Sequence, residues 1–221
     1  MNRRDEVRKL ASDSIARGDA VGWFEELYGS ANGDWSRIPW ADLAPNANLL
    51  DWLRMPEARA CGPRALVVGC GLGDDAEALA AAGFTVVAFD VSATAVAACE
   101  RRFPRSQVRY VVADLFAPPP DWKERFDFVF ESYTLQVLPE SARRAASGVL
   151  VGLVAPGGKL LVLCRGRDCS DAPGELPWPL TREELTVFSA SGLRELSFTD
   201  FADAHETPPV RRFLGLYEKP R

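Results

Sequence analysis

The 221-residue chain has little of what metal sites, nucleic-acid surfaces and membrane spans require. It has one histidine, and its five cysteines form no CxxC pair, so we expect reduced thiols and no metal site. Its net charge of −5 disfavours a nucleic-acid partner, because phosphates favour a basic surface. No apolar run approaches the roughly 20 residues of a transmembrane helix, and the N-terminus lacks the apolar region of a secretory signal. The sequence therefore predicts a cytoplasmic protein without membrane or nucleic-acid partners.

What the chain does have, from residue 64 onward, is an alternation of apolar strand patterns and helix patterns. The predicted strands are "RALVVGC", "TVVAFD", "QVRYVVAD", "FDFVFES", "KLLVLCR", "LRELSFTDF" and "VRRFLGLYEK". Strands joined by helices predict an α/β fold with a doubly wound parallel sheet, whose ligand binds at the carboxyl ends of the strands. Only "ADAHETPP" separates the last two strands, which is too short for a crossover helix, so we expect strand seven to be antiparallel.

Residues 1–60 show no strand pattern and contain four of the six tryptophans. Helices are predicted near 3–17, 20–29 and 46–54, with a turn-rich stretch before the third. We interpret 1–60 as a helical cap or lid on a core of 61–221, the whole forming one domain, which suits a chain of this length.

The loop after the first strand, "GCGLGDD", places glycines at 69, 71 and 73 directly before Asp74 and Asp75. It lacks the Gly-Lys-Ser/Thr ending of a phosphate-binding P-loop. A dinucleotide usually requires GxGxxG, and its pyrophosphate would meet two carboxylates here. S-adenosylmethionine brings an ammonium, a carboxylate and a sulfonium to this position, so the loop favours that cofactor.

Two strand-end carboxylates support the same cofactor. Asp90 ends strand two and is expected to accept hydrogen bonds from both ribose hydroxyls. Asp114 ends strand three and is expected to accept from the adenine amino group, with Leu115 and Phe116 against the ring. A nicotinamide oxidoreductase and a non-catalytic S-adenosylmethionine-binding protein stay open as alternatives.

These motifs, followed by "APGGKLLV", resemble the class I (Rossmann-like) S-adenosylmethionine-dependent methyltransferases over residues 64–217. The resemblance implies a seven-stranded sheet of order 3-2-1-4-5-7-6. "WFEELY…IPWADLAPN…LLDWL" resembles the N-terminal cap of the thiopurine S-methyltransferase-like branch, in which N-terminal aromatics close over the cofactor. The residues expected around the cofactor are Trp23, Tyr28, Trp40, Gly69, Cys70, Gly71, Gly73, Asp75, Asp90, Val91, Ser92, Asp114, Leu115, Phe116, Glu131 and Ser132.

The methyl acceptor is expected over the ends of strands four and five and the start of strand seven. Glu131, Tyr133 and His205 are the predicted catalytic residues, and the predicted substrate residues are Tyr133, Arg165, Trp178, Arg211 and Arg212. The arginines have an alternative interpretation, in which they pair with Asp168, Asp171 or Glu206.

The acceptor is predicted to be a small, partly apolar molecule. "ESYT" stands where methyltransferases of DNA bases or glutamine side chains carry "NPPY" or "DPPY". The resemblance implies a thiol acceptor, and a thiol with a pKa of about 8.5 provides some thiolate unaided. An oxygen or nitrogen acceptor would need His205 or Glu131 as general base. Both a monomer and a homodimer are compatible with the sequence.

Overall fold

The fold is a seven-stranded mixed sheet, described for residues 3–221 by a computed structural model. Its order is β3-β2-β1-β4-β5-β7-β6, and β7 runs antiparallel to both of its neighbours. The fold, the strand order and the reversed last strand predicted from the sequence are confirmed. The strands are β1 Arg64–Val68, β2 Thr85–Asp90, β3 Arg109–Val112, β4 Phe126–Ser132, β5 Val154–Arg165, β6 Arg194–Asp203 and β7 Val210–Glu218.

Helices cover both faces of the sheet, and their starts follow local capping rules. The Ser92 hydroxyl accepts from the Ala95 N–H at the start of α6, and Thr181 and Glu184 form a complete capping box at the start of α8. Within residues 3–221 no helix combines the length and hydropathy needed to cross a membrane. The helices are α1 Arg3–Ala16, α2 Trp23–Ala31, α3 Ala47–Leu53, α4 Pro56–Arg59, α5 Asp74–Ala81, α6 Ala93–Arg102, α7 Glu140–Leu153 and α8 Arg182–Ala190.

The central strands are apolar on both faces because each face is covered by helices. Along β1, Leu66 and Val68 belong to one core cluster, and Ala65 and Val67 belong to the other. This alternation follows from the two-residue period of a strand. The continuous "ALVV" pattern is therefore the signature of a central, doubly covered strand.

The N-terminal segment has two different structural roles rather than one. The Trp52 ring of α3 stacks on Phe128 of β4, with ring centroids 4.4 Å apart, so α3 belongs to the sheet core. By contrast, α1 and α2 form a separate cluster with core residues such as Leu72 and Val137. The part of the cap before α3 therefore packs in a different cluster from α3.

Strand β5 begins earlier than the sequence pattern predicts. "PGG" at 156–158 suggests a turn before a strand starting at Lys159, yet the strand begins at Val154, where α7 ends. The pairing register shifts between Phe126 and Phe128, and Gly157 has a φ of +76°. Proline and glycine are thus accommodated at an irregularity of the strand.

Candidate functional site

A cavity of about 590 Å³ lies at the carboxyl ends of the central strands, beneath the N-terminal cap. This size is typical of small-molecule sites, and the location is the one predicted for a doubly wound sheet. Among residues 3–221, no three His, Cys, Asp or Glu side chains are grouped to hold a metal ion.

The glycine loop forms the floor of this cavity between β1 and α5. Gly69 and Gly73 have φ values of +59° and +90°, in the left-handed region that disfavours side chains. A Cβ on Gly69 would lie 2.4 Å from the Thr134 Oγ1, and one on Gly73 would lie 2.6 Å from the Tyr110 Oη. Glycine is therefore required both by conformation and by space, and the loop presents bare backbone to the cavity.

The two acids after the glycines each have a partner within the chain. Asp74 is bound by both terminal nitrogens of Arg102, at 2.7 and 2.8 Å. Asp75 accepts from the Asn46 N–H at 2.7 Å, and burial raises its pKa to about 6. Asp74 therefore stabilises the start of α5, whereas Asp75 connects the loop to the cap.

Asp90 lies at the end of β2, 6% exposed, and lines the cavity together with Val91. Its Oδ2 accepts from the Gly71 N–H and its Oδ1 from the Ser92 N–H, each at 2.9 Å. Burial raises the pKa of Asp90 to about 6, although these hydrogen bonds oppose the shift. A carboxylate has about four lone-pair sites, so Asp90 keeps capacity for further donors on the cavity side.

The end of β3 places Asp114, Leu115 and Phe116 in the neighbouring wall. The Asp114 Oδ1 accepts from the Phe116 N–H at 2.8 Å, which fixes a tight turn. A carboxylate and an apolar wall thus stand side by side, an arrangement suited to a planar heterocycle with an amino group.

The aromatics of the cap divide between the cavity wall and the cap interior. Tyr28 and Trp40 line the cavity, and the Trp40 Nε1 donates to the Tyr28 Oη at 3.0 Å. Trp23 is fully buried against Phe24, with ring centroids 3.9 Å apart, and it is Phe24 that lines the cavity. The sequence could have indicated Phe24 rather than Trp23, because Phe24 lies four residues before Tyr28 and residues four apart share one helix face.

At the end of β4, the strand-end carboxylate turns away from the cavity. Glu131 is completely buried, and its Oε1 accepts from the Thr134 and Leu135 N–H groups at 2.8 and 2.9 Å. Burial raises its pKa to about 7. Tyr133, with a φ of +66°, does line the cavity, and its hydroxyl accepts from the Asn46 side chain at 3.0 Å. Glu131 thus shapes the loop that presents Tyr133.

On the acceptor side, neighbouring residues of β7 point in opposite directions. Arg212 lines the cavity, is 2% exposed and pairs with Asp203 and Glu206. Arg211 lies outside it and pairs with Asp168 and Asp200 at 2.9 and 2.7 Å. The strand alternation that separates them corrects the expectation that both arginines converge on the substrate.

The structure thus brings most of the predicted site residues to one cavity. The predicted residues that line it are Tyr28, Trp40, Gly69, Cys70, Gly71, Gly73, Asp75, Asp90, Val91, Asp114, Leu115, Phe116, Ser132, Tyr133, Arg165, His205 and Arg212. Those that lie outside its lining are Trp23, Ser92, Glu131, Trp178 and Arg211.

Two of these outside residues have clear structural roles. Ser92 is fully buried and its hydroxyl donates to Glu25 at 2.6 Å, in addition to capping α6. Trp178 lies beside the Arg143 guanidinium, 5.8 Å from its ring centroid, while its neighbour Pro177 reaches the cavity. A local sequence pattern places both near the site but cannot fix which way they point.

The cavity fits S-adenosylmethionine better than a polyphosphate ligand. The bare glycine loop admits close approach, and Asp90 and Asp114 face the same space at the ends of adjacent strands. The buried Ser132 hydroxyl has no hydrogen-bond partner among residues 3–221, which leaves a polar group at the end of β4 for a ligand.

Comparison with known proteins agrees with this geometry. Residues 65–158 match the family model of a methyltransferase domain. A probable thiol methyltransferase 2 of Arabidopsis thaliana is 29% identical over 205 residues, which cover 89% of this chain and 82% of the relative. Thiocyanate methyltransferase 1 of the same plant is 29% identical over 163 residues, covering 71% and 69%.

Among solved structures, the N-methyltransferase NodS from Bradyrhizobium japonicum, bound to S-adenosylhomocysteine, has a TM-score of 0.69 at 20% identity. The match covers 88% of this chain and 99% of that one, and it shows a shared fold. The domain match, the relatives and the strand order show that this chain is an S-adenosylmethionine-dependent methyltransferase with a seven-stranded Rossmann-like fold.

Proposed function

We propose that this methyltransferase transfers the methyl group to the sulfur of a small-molecule thiol. The observation that carries the proposal is the position of Glu131: its side chain lies outside the cavity lining and its Oε1 accepts from two N–H groups of its own loop, although its buried Oε2 has no hydrogen-bond partner among residues 3–221. A thiol ionises near neutral pH and needs no dedicated base, unlike a hydroxyl or an ammonium group. The names of the two plant relatives, which specify thiol and thiocyanate, support the same acceptor atom.

In this proposal the cofactor lies across the ends of β1, β2 and β3. The glycine-loop backbone receives its amino-acid part, Asp90 accepts from the ribose hydroxyls, and Asp114 accepts from the adenine amino group beside Phe116. When bound, S-adenosylmethionine supplies an electrophilic methyl group on a sulfonium. Tyr28 and Trp40 of the cap line the cavity on the side of this methyl group and exclude water from it.

The chain contributes proximity and alignment at the acceptor end. Ser132 and Tyr133 form the wall at the end of β4, and the loop held by Glu131 fixes their position. Such positioning alone provides a large part of the rate in a displacement reaction. His205 lies at the exposed rim, and no hydrogen bond among residues 3–221 orients its ring, which disfavours it as a general base.

The test is a rate measurement with small aryl thiols of graded pKa, alongside matched phenols and amines. We expect methylation of thiols, with a pH profile that moves with the pKa of the thiol. His205→Ala should reduce the maximal rate by less than about tenfold, because general-base loss costs about 10²–10⁴-fold.

Two results together would indicate an oxygen or nitrogen acceptor instead. They are a rate–pH profile centred near pH 6.5 that does not shift with the pKa of the thiol, and a large loss of rate in His205→Ala. Binding of S-adenosylhomocysteine without turnover of any acceptor would indicate a non-catalytic binder. We expect calorimetry to show no binding of NAD. That result would exclude the nicotinamide oxidoreductase alternative.

A further inference from the structure

The acceptor end of the cavity contains an arginine that has no anionic partner. Arg165 ends β5 and lines the cavity, and its Nε is buried without a hydrogen-bond acceptor. No carboxylate among residues 3–221 lies within 4.0 Å of its guanidinium, since none of their ion pairs involves it. Arg165 is half-buried, and its inaccessible Nε has lost water without gaining an acceptor, which is costly, so we expect this guanidinium to have a partner in the working enzyme.

The other cations at this end are compensated within the chain. Arg212 pairs with Asp203 and Glu206, as described above. Arg8 pairs with Glu175 at 2.5 Å and donates to the Leu176 carbonyl at 2.9 Å. Neither of them therefore needs an external anion.

Arg4 is the exception in the cap. It lies one helical turn before Arg8 on α1, where residues four apart share a face, and it lines the cavity. It is exposed and forms no ion pair with the described residues. Arg4 is close enough to Arg165 to repel its charge. Burial lowers the pKa of Arg165, and repulsion by Arg212 and Arg4 lowers it further, whereas attraction by Glu206 raises it and offsets part of that repulsion.

The backbone of Arg165 is held by neighbouring strands, whereas its guanidinium forms no ion pair with any residue of 3–221. Its N–H donates to the Gln136 Oε1 at 2.7 Å, and it pairs with Arg212 across the β5–β7 ladder. In the register of β4 and β5, Ser132 is opposite Leu163, so Arg165 lies two residues farther along β5, near the end of the strand that presents Tyr133. Both Arg165 and Tyr133 line the cavity. A small acceptor whose reacting atom lies over the end of β4 would therefore share its part of the cavity with the Arg165 guanidinium.

We propose that Arg165 and Arg4 bind a carboxylate of the methyl acceptor, which makes the acceptor class small thiols that carry a carboxylic acid. The planar guanidinium binds a carboxylate through two parallel hydrogen bonds, whereas a neutral acceptor leaves both arginines uncompensated. This inference rests on the proposed methylation of sulfur, but the carboxylate site can be tested independently of it.

The experiment compares 3-mercaptobenzoate with its methyl ester, a pair that differs mainly in charge. In the wild-type protein we expect kcat/KM to favour the acid by at least about tenfold, as for charge-assisted hydrogen bonds. Arg165→Met should remove that preference by slowing the acid and leaving the ester within about threefold, and Arg165→Lys should retain part of it. Arg4→Met should give a smaller change in the same direction.

Arg211→Met is the matched control, because the same residue type lies outside the cavity and its loss should change neither substrate. Affinity for S-adenosylhomocysteine should be unchanged in each variant, which also verifies folding; Arg165→Gln replaces Arg165→Met should the latter fail to fold. Equal use of acid and ester by the wild-type protein, or an equal loss of both in the Arg165 variants, would overturn the inference.

If no thiol is methylated, the carboxylate site still has a readout. Binding of 3-(methylthio)benzoate to protein saturated with S-adenosylhomocysteine is measured by calorimetry. Binding that weakens at least about tenfold in Arg165→Met supports the carboxylate site while the thiol proposal fails. Binding that does not depend on Arg165 overturns the carboxylate site itself.

Discussion

Asp90 and Glu131 are both buried carboxylates at strand ends, yet their surroundings give them different roles. Asp90 accepts from Gly71 of the glycine loop and still faces the cavity. Glu131 accepts from two N–H groups of its own loop and lies outside the cavity lining. A ligand in the cavity can bond to the carboxylate of Asp90 but not to a side chain outside the lining. The direction of each side chain decides this, and it cannot be read from the residue type or from its position in the strand.

At this scale we predict that Asp90→Ala weakens binding of S-adenosylhomocysteine by roughly 1.5–3 kcal/mol, because hydrogen bonds to a charged group are lost. Isothermal titration calorimetry measures the change. Asp200→Ala is the control, since the only ion-pair partner of that exposed carboxylate within residues 3–221 is Arg211, and its loss should leave affinity unchanged. Wild-type affinity in Asp90→Ala would contradict the assigned role of Asp90.

At the scale of elements, one carboxylate joins the cap to the core. Glu25 of α2 accepts from the hydroxyls of Ser92 and Thr94, each at 2.6 Å, and from the Thr94 N–H at 3.1 Å. These groups form the N-terminus of α6, where the helix dipole favours a negative charge. Burial alone would raise the pKa of Glu25, but the hydrogen bonds outweigh it and the pKa is lowered. The position of α2 over the cofactor loop depends on this contact.

Glu25→Gln should therefore loosen the cap without unfolding the core. We expect faster proteolytic cleavage within residues 17–45 and about three- to tenfold weaker cofactor binding, the equivalent of about one hydrogen bond. Glu26→Gln is the matched control, because Glu26 follows in the same first turn and is exposed. Equal behaviour of the two variants in limited proteolysis would show that Glu25 does not hold the cap.

At the scale of the whole molecule, four described carboxyl groups in or beside the cavity have raised pKa values, and burial is the main cause for each; Asp42 is one of them. Burial raises the pKa of Asp75 and of Asp90 to about 6 and that of Glu131 to about 7. Between pH 4 and 7 the folded protein consequently binds more protons at these groups than the unfolded chain does. Its free energy of unfolding must then fall as the pH rises through this window.

We predict that urea unfolding gives a larger free energy at pH 5 than at pH 7.5 for the ligand-free protein. Glu131→Gln should flatten the decline by roughly 1–3 kcal/mol, since each unit of pKa shift corresponds to about 1.4 kcal/mol. Glu140→Gln, which alters an exposed acid at the start of α7, should leave the slope unchanged. Carboxyl groups with lowered pKa values, such as Asp127, change the free energy of unfolding mainly below about pH 4. They therefore do not offset its decline between pH 5 and 7.5. Stability that rises with pH across this window would contradict the assignment.

The sequence by itself determined the features that depend on local pattern and chain connectivity. Continuous apolar runs gave the central strands, because both sheet faces are covered, and a short link forced β7 to reverse. The positive φ values of Gly69 and Gly73 and the caps at Ser92 and Thr181 also follow from local chemistry. Asp90 and Asp114 reach the cavity because parallel strands bring their carboxyl ends to one edge.

Only the tertiary structure decided which way a side chain points and what charge lies opposite it. Glu131 turns into its loop because two free N–H groups are there, and Arg211 and Arg212 separate because the β5–β7 register fixes which of them faces the cavity. Within residues 3–221 the Arg165 guanidinium forms no ion pair, whereas Asp203 and Glu206, distant from it in sequence, pair with Arg212. Such pairings depend on contacts between remote segments, which form only when the whole chain has packed.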